Sequence, residues 1–319
     1  MMNLRDRMKQ PAPLLFDGGM GTLYAQRSRL GEQSCEQACL QEPETILAIH
    51  RDYLTAGAQC LKTNTFGLSG MLARGMEADV LLRAACGLIK EAAEGKAYLF
   101  GDIGPAPDDC GAKDSALLYI RQMETFLSEG ITCFLMETLP ASHGVAEAAA
   151  WLKARCPEAY LIVSYAVDPA GVTRGGESGV RLLRDTAAMP QVDAVGMNCV
   201  SGPGHMLKLV QQLPDLGKPL SVMPNAGYPA VIGRRAVFQG TPDYFADLLG
   251  QLAGAGAAIV GGCCGTTPEH IRAAGALIAK NHVQYIPHAA AQKASAAARE
   301  RTGDSLLTRL KQGRRVIAV

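Results

Sequence analysis

The sequence is poor in aromatic residues, in net charge and in long apolar runs. Aromatics make up 5% of 319 residues, and 31 Lys and Arg stand against 30 Asp and Glu. Few rings and no basic excess argue against base stacking and phosphate binding, so no nucleic-acid partner is expected. No run of about 18 uncharged apolar residues occurs, so no membrane span is expected. The opening MMNLRDRMKQPAP is charged and lacks the apolar core of a secretory signal, so a cytoplasmic location is expected. The ten cysteines then read as free thiols, not a disulfide framework. No CxxC pair and no HxxxH pair is found among them and the six histidines. No Gly-rich phosphate fingerprint follows the first apolar run, which disfavours a doubly wound nucleotide-binding sheet, the alternative α/β fold.

What is present is a regular alternation. Short apolar runs fall at 14–19, 58–66, 97–105, 131–139, 159–167, 192–200, 218–227 and 257–265. They are continuously apolar, as strands buried on both faces should be. Helix-like segments lie between them. The segment 43–57 has Pro43 near its start and Gly57 at its end, and 116–130 also closes on glycine. The segment 241–256 opens on Thr241 as N-cap and Pro242 in the first turn. Eight such alternations predict a (β/α)8 TIM barrel over residues 12–285. Residues 288–305 are Ala-rich and polar and read as a linker. The segment 304–319 reads as a short helix, a stop at Gly313 and the start of a strand. Residues 286–319 are therefore expected to be a linker and the start of a further domain, in a chain that is the front part of a longer protein. The alternative is a tail strand packed on the barrel.

A barrel of this kind does its chemistry at the C-terminal ends of its strands. Those ends carry Asp17, Thr63 to Thr65, Asp102, Glu137, Asn198 with Cys199, Asn225, and Cys263 with Cys264. A polar residue at any one strand end is ordinary loop chemistry. Three thiols at two strand ends are harder to dismiss. Cys199, Cys263 and Cys264 suit a tetrahedral zinc with its fourth position open, as in a catalytic rather than a structural site. Thr266 or Thr267 caps the next helix, with Pro268 and Glu269 in its first turn. That helix end is expected to lower the pKa of the adjacent thiols. Cys60, Cys86, Cys133 and Cys156 read as core residues. Cys35 and Cys39 share a helix face as packing or surface thiols. His50 is expected to face solvent, and His205 and His270 to lie at the surface.

A zinc held by three thiolates is a poor Lewis acid for a carbonyl. It suits the binding of a substrate thiol as an electron-rich thiolate, because a free thiol is only a few per cent ionised near neutral pH. Such a sulfur attacks an electrophilic carbon, for example an activated methyl group. A zinc and thiol module that senses redox change without catalysis is the alternative of another class.

FDGGMGT (16–22), TNTFG (63–67), GMNC (196–199), PNAG (224–227) and GGCCGTTPEHI (261–271) together resemble the zinc-dependent homocysteine S-methyltransferases. That family includes the homocysteine-binding domain of cobalamin-dependent methionine synthase, betaine–homocysteine methyltransferase and S-methylmethionine-dependent enzymes. The resemblance implies a (β/α)8 barrel with one zinc on Cys199, Cys263 and Cys264. It implies that Asp17, Gly18, Thr63 and Glu137 hold the amino-acid end of homocysteine, and that Asn225 fills the open zinc position when substrate is absent. Lys62 stands where relatives often carry an acidic or neutral residue. The implied activity is methylation of homocysteine to methionine, by methylcobalamin, betaine, S-methylmethionine or S-adenosylmethionine. No DxHxxG motif is present, so this segment is not expected to bind cobalamin, and it is too short to bind folate as well. The favoured expectation is the homocysteine module of a methionine synthase-like or reductase-fused protein, with the donor on another domain or partner. A stand-alone betaine or S-methylmethionine enzyme is the alternative.

Overall fold

Each of the eight apolar runs contains one strand of a single parallel sheet. A computed structural model describes residues 2–28, 34–232, 235–280 and 283–285. The strands are β1 Leu14–Leu15, β2 Cys60–Lys62, β3 Tyr98–Ile103, β4 Cys133–Leu139, β5 Tyr160–Tyr165, β6 Ala194–Asn198 and β7 Leu220–Met223. A short antiparallel hairpin follows, β8 Pro229–Ile232 with β9 Arg235–Phe238, and then β10 Ala257–Val260. The sheet order is β1-β10-β7-β6-β5-β4-β3-β2. A parallel bridge between Phe16 and Cys60 brings β1 back beside β2 and nearly closes the ring. With helices between the strands, this is the (β/α)8 TIM barrel that the alternation predicts. No helix among the described residues is long and apolar enough to cross a membrane.

The helices form for local reasons that the tertiary packing then uses. Pro43–Thr55 has proline in its first turn, and Gly57 follows with φ 101°. Pro242–Gly254 is capped by Thr241, whose side chain accepts from the Tyr244 N–H, a contact that contributes about 1 kcal/mol. Ala112–Ser128 starts a turn before the expected 116. Its first turn is polar and carries no apolar period, but Asp114 there complements the positive helix end. Ala116, Tyr119, Met123 and Phe126, spaced by three and four, then bury one face against the sheet.

The barrel interior is filled at its base by apolar side chains. Leu14, Phe16, Cys60, Phe100, Leu135 and Ile162 belong to one buried cluster, and the Phe16 and Phe100 rings lie 4.7 Å apart. Leu4, from the short Leu4–Arg7 helix, joins that cluster and plugs the base. Arg7 is buried there as well, donating to the Ala12 and Pro13 carbonyls and to Gln59.

Two histidine expectations are overturned. His50 is fully buried on the inner face of Pro43–Thr55, with Ile46, Ile49 and Tyr53, because it shares their helical period. His270 is buried against the edge of the Phe245 ring and donates from Nε2 to the Gly240 carbonyl. His205 is half-buried and bonds Tyr228. The linker and tail expected at 286–319 lie outside the described residues.

Candidate metal and substrate site

The thiols are brought together by two strand ends and a tight backbone crossing. β6 ends at Asn198, and Cys199 and Val200 follow with φ of 58° and 57°. The left-handed conformation costs a non-glycine residue about 1–2 kcal/mol. Thr138, at the end of β4, has φ 60°. Three of the four non-glycine residues with positive φ among the described residues therefore sit at the barrel mouth, where backbone strain is characteristically stored.

From the other side, β10 runs into Gly261 and Gly262, then Cys263 and Cys264. The Gly262 N–H bonds the Asp17 carbonyl, and the Cys263 N–H bonds the Pro224 carbonyl. The Thr266 hydroxyl donates to the Cys263 carbonyl at 2.6 Å and accepts from the Gly19 N–H at 2.9 Å. A Cβ at Gly262 would lie 2.3 Å from the Thr266 oxygen, and one at Gly18 would lie 2.6 Å from it. The DGG and GGCC glycines are thus needed for one close contact between the start and the end of the barrel.

The ligand atoms of Cys199, Cys263 and Cys264 all lie within 4.8 Å of one another, and the Cys199 and Cys264 sulfurs are 3.7 Å apart. Tetrahedral zinc with sulfur at about 2.3 Å would set its sulfurs about 3.8 Å apart, so the trio fits the ion. For Cys199 and Cys264 one thiol hydrogen bond lowers the value, but the opposing thiol hydrogen bond and burial outweigh it and push them up to about 11 and about 12, while the hydrogen bond with Cys199 and burial raise Cys263 well above its usual range. The expected lowering by the Pro268–Lys280 helix end is therefore outweighed. The trio keeps its protons until a cation displaces them.

The thiols open on a cavity of about 340 Å³. Gly18 to Thr22, Lys62 to Phe66, Asp102, Glu137 and Thr138 line it, together with Cys35 and Glu36. Cys35 packs against the core, as expected, and also lines the cavity, while Cys39 is buried and bonded by Asn64. The Gly18 N–H makes no hydrogen bond among the described residues, and it stands beside the first turn of the Met20–Arg27 helix. Thr63 lines the cavity, but its hydroxyl is engaged by Thr65 at 2.6 Å and by the Asp102 N–H at 2.9 Å.

A buried charge cluster forms the cavity's polar end. Lys62, at the end of β2, lies 3.8 Å from Asp17 and 3.7 Å from Glu137. Glu137 also accepts from Asn198 Nδ2 at 2.8 Å, and its charge bears on the buried Asp102 carboxyl. Asn198 uses its whole side chain: Oδ1 accepts from the Thr138 N–H and Ser164, while Nδ2 donates to Glu137 and Thr138. Burial, reinforced by Glu137, holds the Asp102 carboxyl well above the usual range. Burial likewise pushes Asp17 up to about 7, against the pull of Lys62. Burial alone would lower Lys62, yet Glu137 and Asp17 hold it well above its ordinary value.

Of the residues named from the sequence, Gly18, Thr63, Glu137 and the three thiols line the cavity. Asp17 and Asn225 do not. Asp17 lies 3.8 Å from Lys62, and Asn225 is buried with Oδ1 unpartnered among the described residues. Two residues matter more than the motifs suggest. Asn198 is the hub of the polar layer, and Lys62 is its cation. Their strand-end positions were visible in the sequence, but their partners come from other strands.

Comparison with known proteins bears on this geometry. The family described as homocysteine S-methyltransferase matches residues 14–278. Methionine synthase from Mycobacterium tuberculosis is 31% identical over 297 residues, covering 83% of this chain and 24% of that protein. Methionine synthase from Mycobacterium leprae is 29% identical, covering 86% and 25%. The chain thus spans about a quarter of the length of these curated relatives. The metallated form of the homocysteine methyltransferase MmuM from Escherichia coli is similar at 28% identity and a TM-score of 0.70, covering 86% of this chain and 99% of that one. Type I 3-dehydroquinate dehydratase from Clostridium difficile, at 11% identity and a TM-score of 0.51, shares the fold alone. With motifs, barrel and thiol trio in agreement over 14–278, the chain belongs to the homocysteine S-methyltransferase family.

Proposed function

We propose that this chain methylates the thiol of homocysteine to give methionine, with one zinc held by Cys199, Cys263 and Cys264. The observation that carries this reading is the convergence of three sulfurs on one side of a cavity, with the side facing the cavity left for a fourth ligand. Bound zinc supplies acidity to the substrate thiol near neutral pH.

The chain's own residues do the rest. Gly18 and the first turn of the Met20–Arg27 helix present N–H groups to the substrate carboxylate. Asn198 holds Glu137 in one orientation, through its ties to β4 and β5. Thr63 braces β2 against β3 and keeps Lys62 turned inward. Asn225, with an unpartnered buried oxygen, is the residue we assign to the metal side when no substrate is bound. The cytoplasm, where thiols stay reduced, is the compartment that suits ten free cysteines.

The test is metal analysis and homocysteine titration of the zinc-loaded chain. One zinc per chain, with metal and homocysteine binding lost together in Cys199→Ser, supports the reading. Absence of metal, with a reversible disulfide among the three thiols instead, would overturn it in favour of a redox module. Methylcobalamin, betaine, S-methylmethionine and S-adenosylmethionine, offered in turn, identify the donor. The curated relatives extend well beyond this segment, and this supports a donor carried on another domain or protein.

A further inference from the structure

A second cavity, of about 270 Å³, lies on the thiol side of the barrel and outside the site described above. The loops that follow β3, β4 and β5 each supply part of its wall. The helix Ala112–Ser128 supplies another part through Ser115 and Tyr119, which stand four residues apart on one helix face. Ser115 is 2% exposed and Tyr119 is 3% exposed. The Gly111 carbonyl one turn earlier takes the Ser115 N–H at 2.9 Å. The Ser115 hydroxyl itself has no hydrogen-bond partner among the described residues, although it lines the cavity. The Tyr119 oxygen accepts from the Ala106 N–H at 3.0 Å, which leaves its own proton without an acceptor among the described residues. A buried hydroxyl left unpaired costs free energy. Two such donors therefore ask for one acceptor between them.

The surroundings decide the charge of that acceptor. No side chain caps the N-terminus of Ala112–Ser128, and none caps Val145–Arg155, which begins just after the cavity residue His143. Both helix ends favour negative charge. The cavity has carboxylates of its own, Asp108 and Glu177, and each is already paired with an arginine. Asp108 lies 2.6 Å from Arg174, and Glu177 lies 2.7 Å from Arg181. Asp114, in the first helical turn, does not line the cavity. With both lining carboxylates paired, a single negative charge is tolerated, while a doubly charged phosphate would be opposed by both. The volume falls just below the range of about 300–1,000 Å³ of drug-sized ligand sites, so it suits a small molecule.

We propose that this cavity binds a small organic monocarboxylate. Its oxygens accept from the Ser115 and Tyr119 hydroxyls, and its apolar part lies against Pro107, Pro140 and Ala141. The site is separate from the thiol cavity but adjoins it: Thr138 lines the thiol cavity, and Pro140 and Ala141 line this one. The proposal goes beyond the methyl-transfer reading and does not depend on it.

The experiment follows the amide signals of the isotopically labelled full chain during titration with sodium butanoate at constant ionic strength. Butanamide, inorganic phosphate and homocysteine are the comparison ligands. Butanoate is expected to give saturable shifts at Ala106, Ser115 and Tyr119, and butanamide to bind at least about tenfold more weakly. Ser115→Ala should weaken butanoate by about tenfold, and Ser115→Thr, which keeps the hydroxyl, should retain most of the affinity. The wild-type preference for acid over amide stands by itself if a variant folds poorly, which a thermal melt will show. Lack of saturable shifts up to about 50 mM butanoate overturns the proposal. So does equal binding of butanamide, tighter binding of phosphate, or unchanged affinity in a folded Ser115→Ala. Displacement of butanoate by homocysteine would place the carboxylate in the thiol cavity and would also overturn it.

Discussion

Two residues along the inward face of each strand separate an apolar layer from a charged one. Cys60, Phe100, Leu135 and Ile162 belong to the apolar cluster at the base. On the same strands and the same inward face, Lys62, Asp102, Glu137 and Ser164 follow, all buried. The two layers share backbone, solvent exclusion and strand pairing, so their chemistry is the variable. At the base, burying a side chain such as Phe100 contributes about 1.5–3 kcal/mol of transfer free energy. At the mouth, desolvating charges roughly cancels what their pairing returns, and the strained Thr138, Cys199 and Val200 add cost. The base stabilises the barrel, and the mouth uses that stability to hold groups that would not stay buried in isolation.

The comparison is broken most severely by Phe100→Ala. It should destabilise the chain by about 3–5 kcal/mol in denaturant melts, while the folded fraction still binds one metal per chain. Loss of metal binding under conditions where the variant is folded would mean that the layers are not separable.

Asp17→Asn tests the mouth at a smaller scale. The folded-state value of about 7 lies above the ordinary 3.8, so the folded chain holds a proton that the unfolded chain has released between those values. Asp17 therefore makes stability fall as pH rises from about 4 to 7, levelling off above. In Asp17→Asn that component should vanish, seen as a flatter plot of denaturation midpoint against pH for the metal-free chain. An unchanged slope would remove Asp17 as its source.

His50 lies outside both layers and gives the smallest effect. Both ring nitrogens are buried without partners among the described residues, and burial lowers the ring to about 4 from an ordinary 6.5. The unfolded chain takes up the proton first, so His50 makes stability fall as pH drops through that window. His50→Leu should be more stable by about 1 kcal/mol at neutral pH and lose that acid sensitivity, as measured by melts at two pH values. Destabilisation instead would show that the ring nitrogens have partners after all, water among them.

Much of this was legible from the chain itself, because local pattern carried it. Continuous apolar runs marked every strand of the barrel, since a strand covered on both faces has no polar side. Thr241, Pro242 and Gly57 marked helix ends through backbone geometry. The thiol trio was legible because Cys199 and Cys263–Cys264 each stand at a strand end, and that position alone aims them at one mouth. Less local features were missed. The Pro229–Ile232 and Arg235–Phe238 hairpin interrupts the alternation without an apolar run long enough to announce it. His50 was misplaced because a lone polar residue in a helical period looks solvent-facing until the surrounding face is known.

The sequence by itself determined the barrel, the three sulfurs and the family, because periodicity, turn chemistry and motif spacing are local properties of the chain. The tertiary structure decided what the sulfurs face. It set Lys62 against Asp17 and Glu137, made Asn198 the hub of three strands, and turned Asp17 away from the cavity. Those contacts join residues separated by 34 to 75 positions and depend on the stagger of the closed sheet. Charge pairing across a lumen has no periodic signature, so only the closed ring could reveal that the polar end of the cavity holds a buried cation.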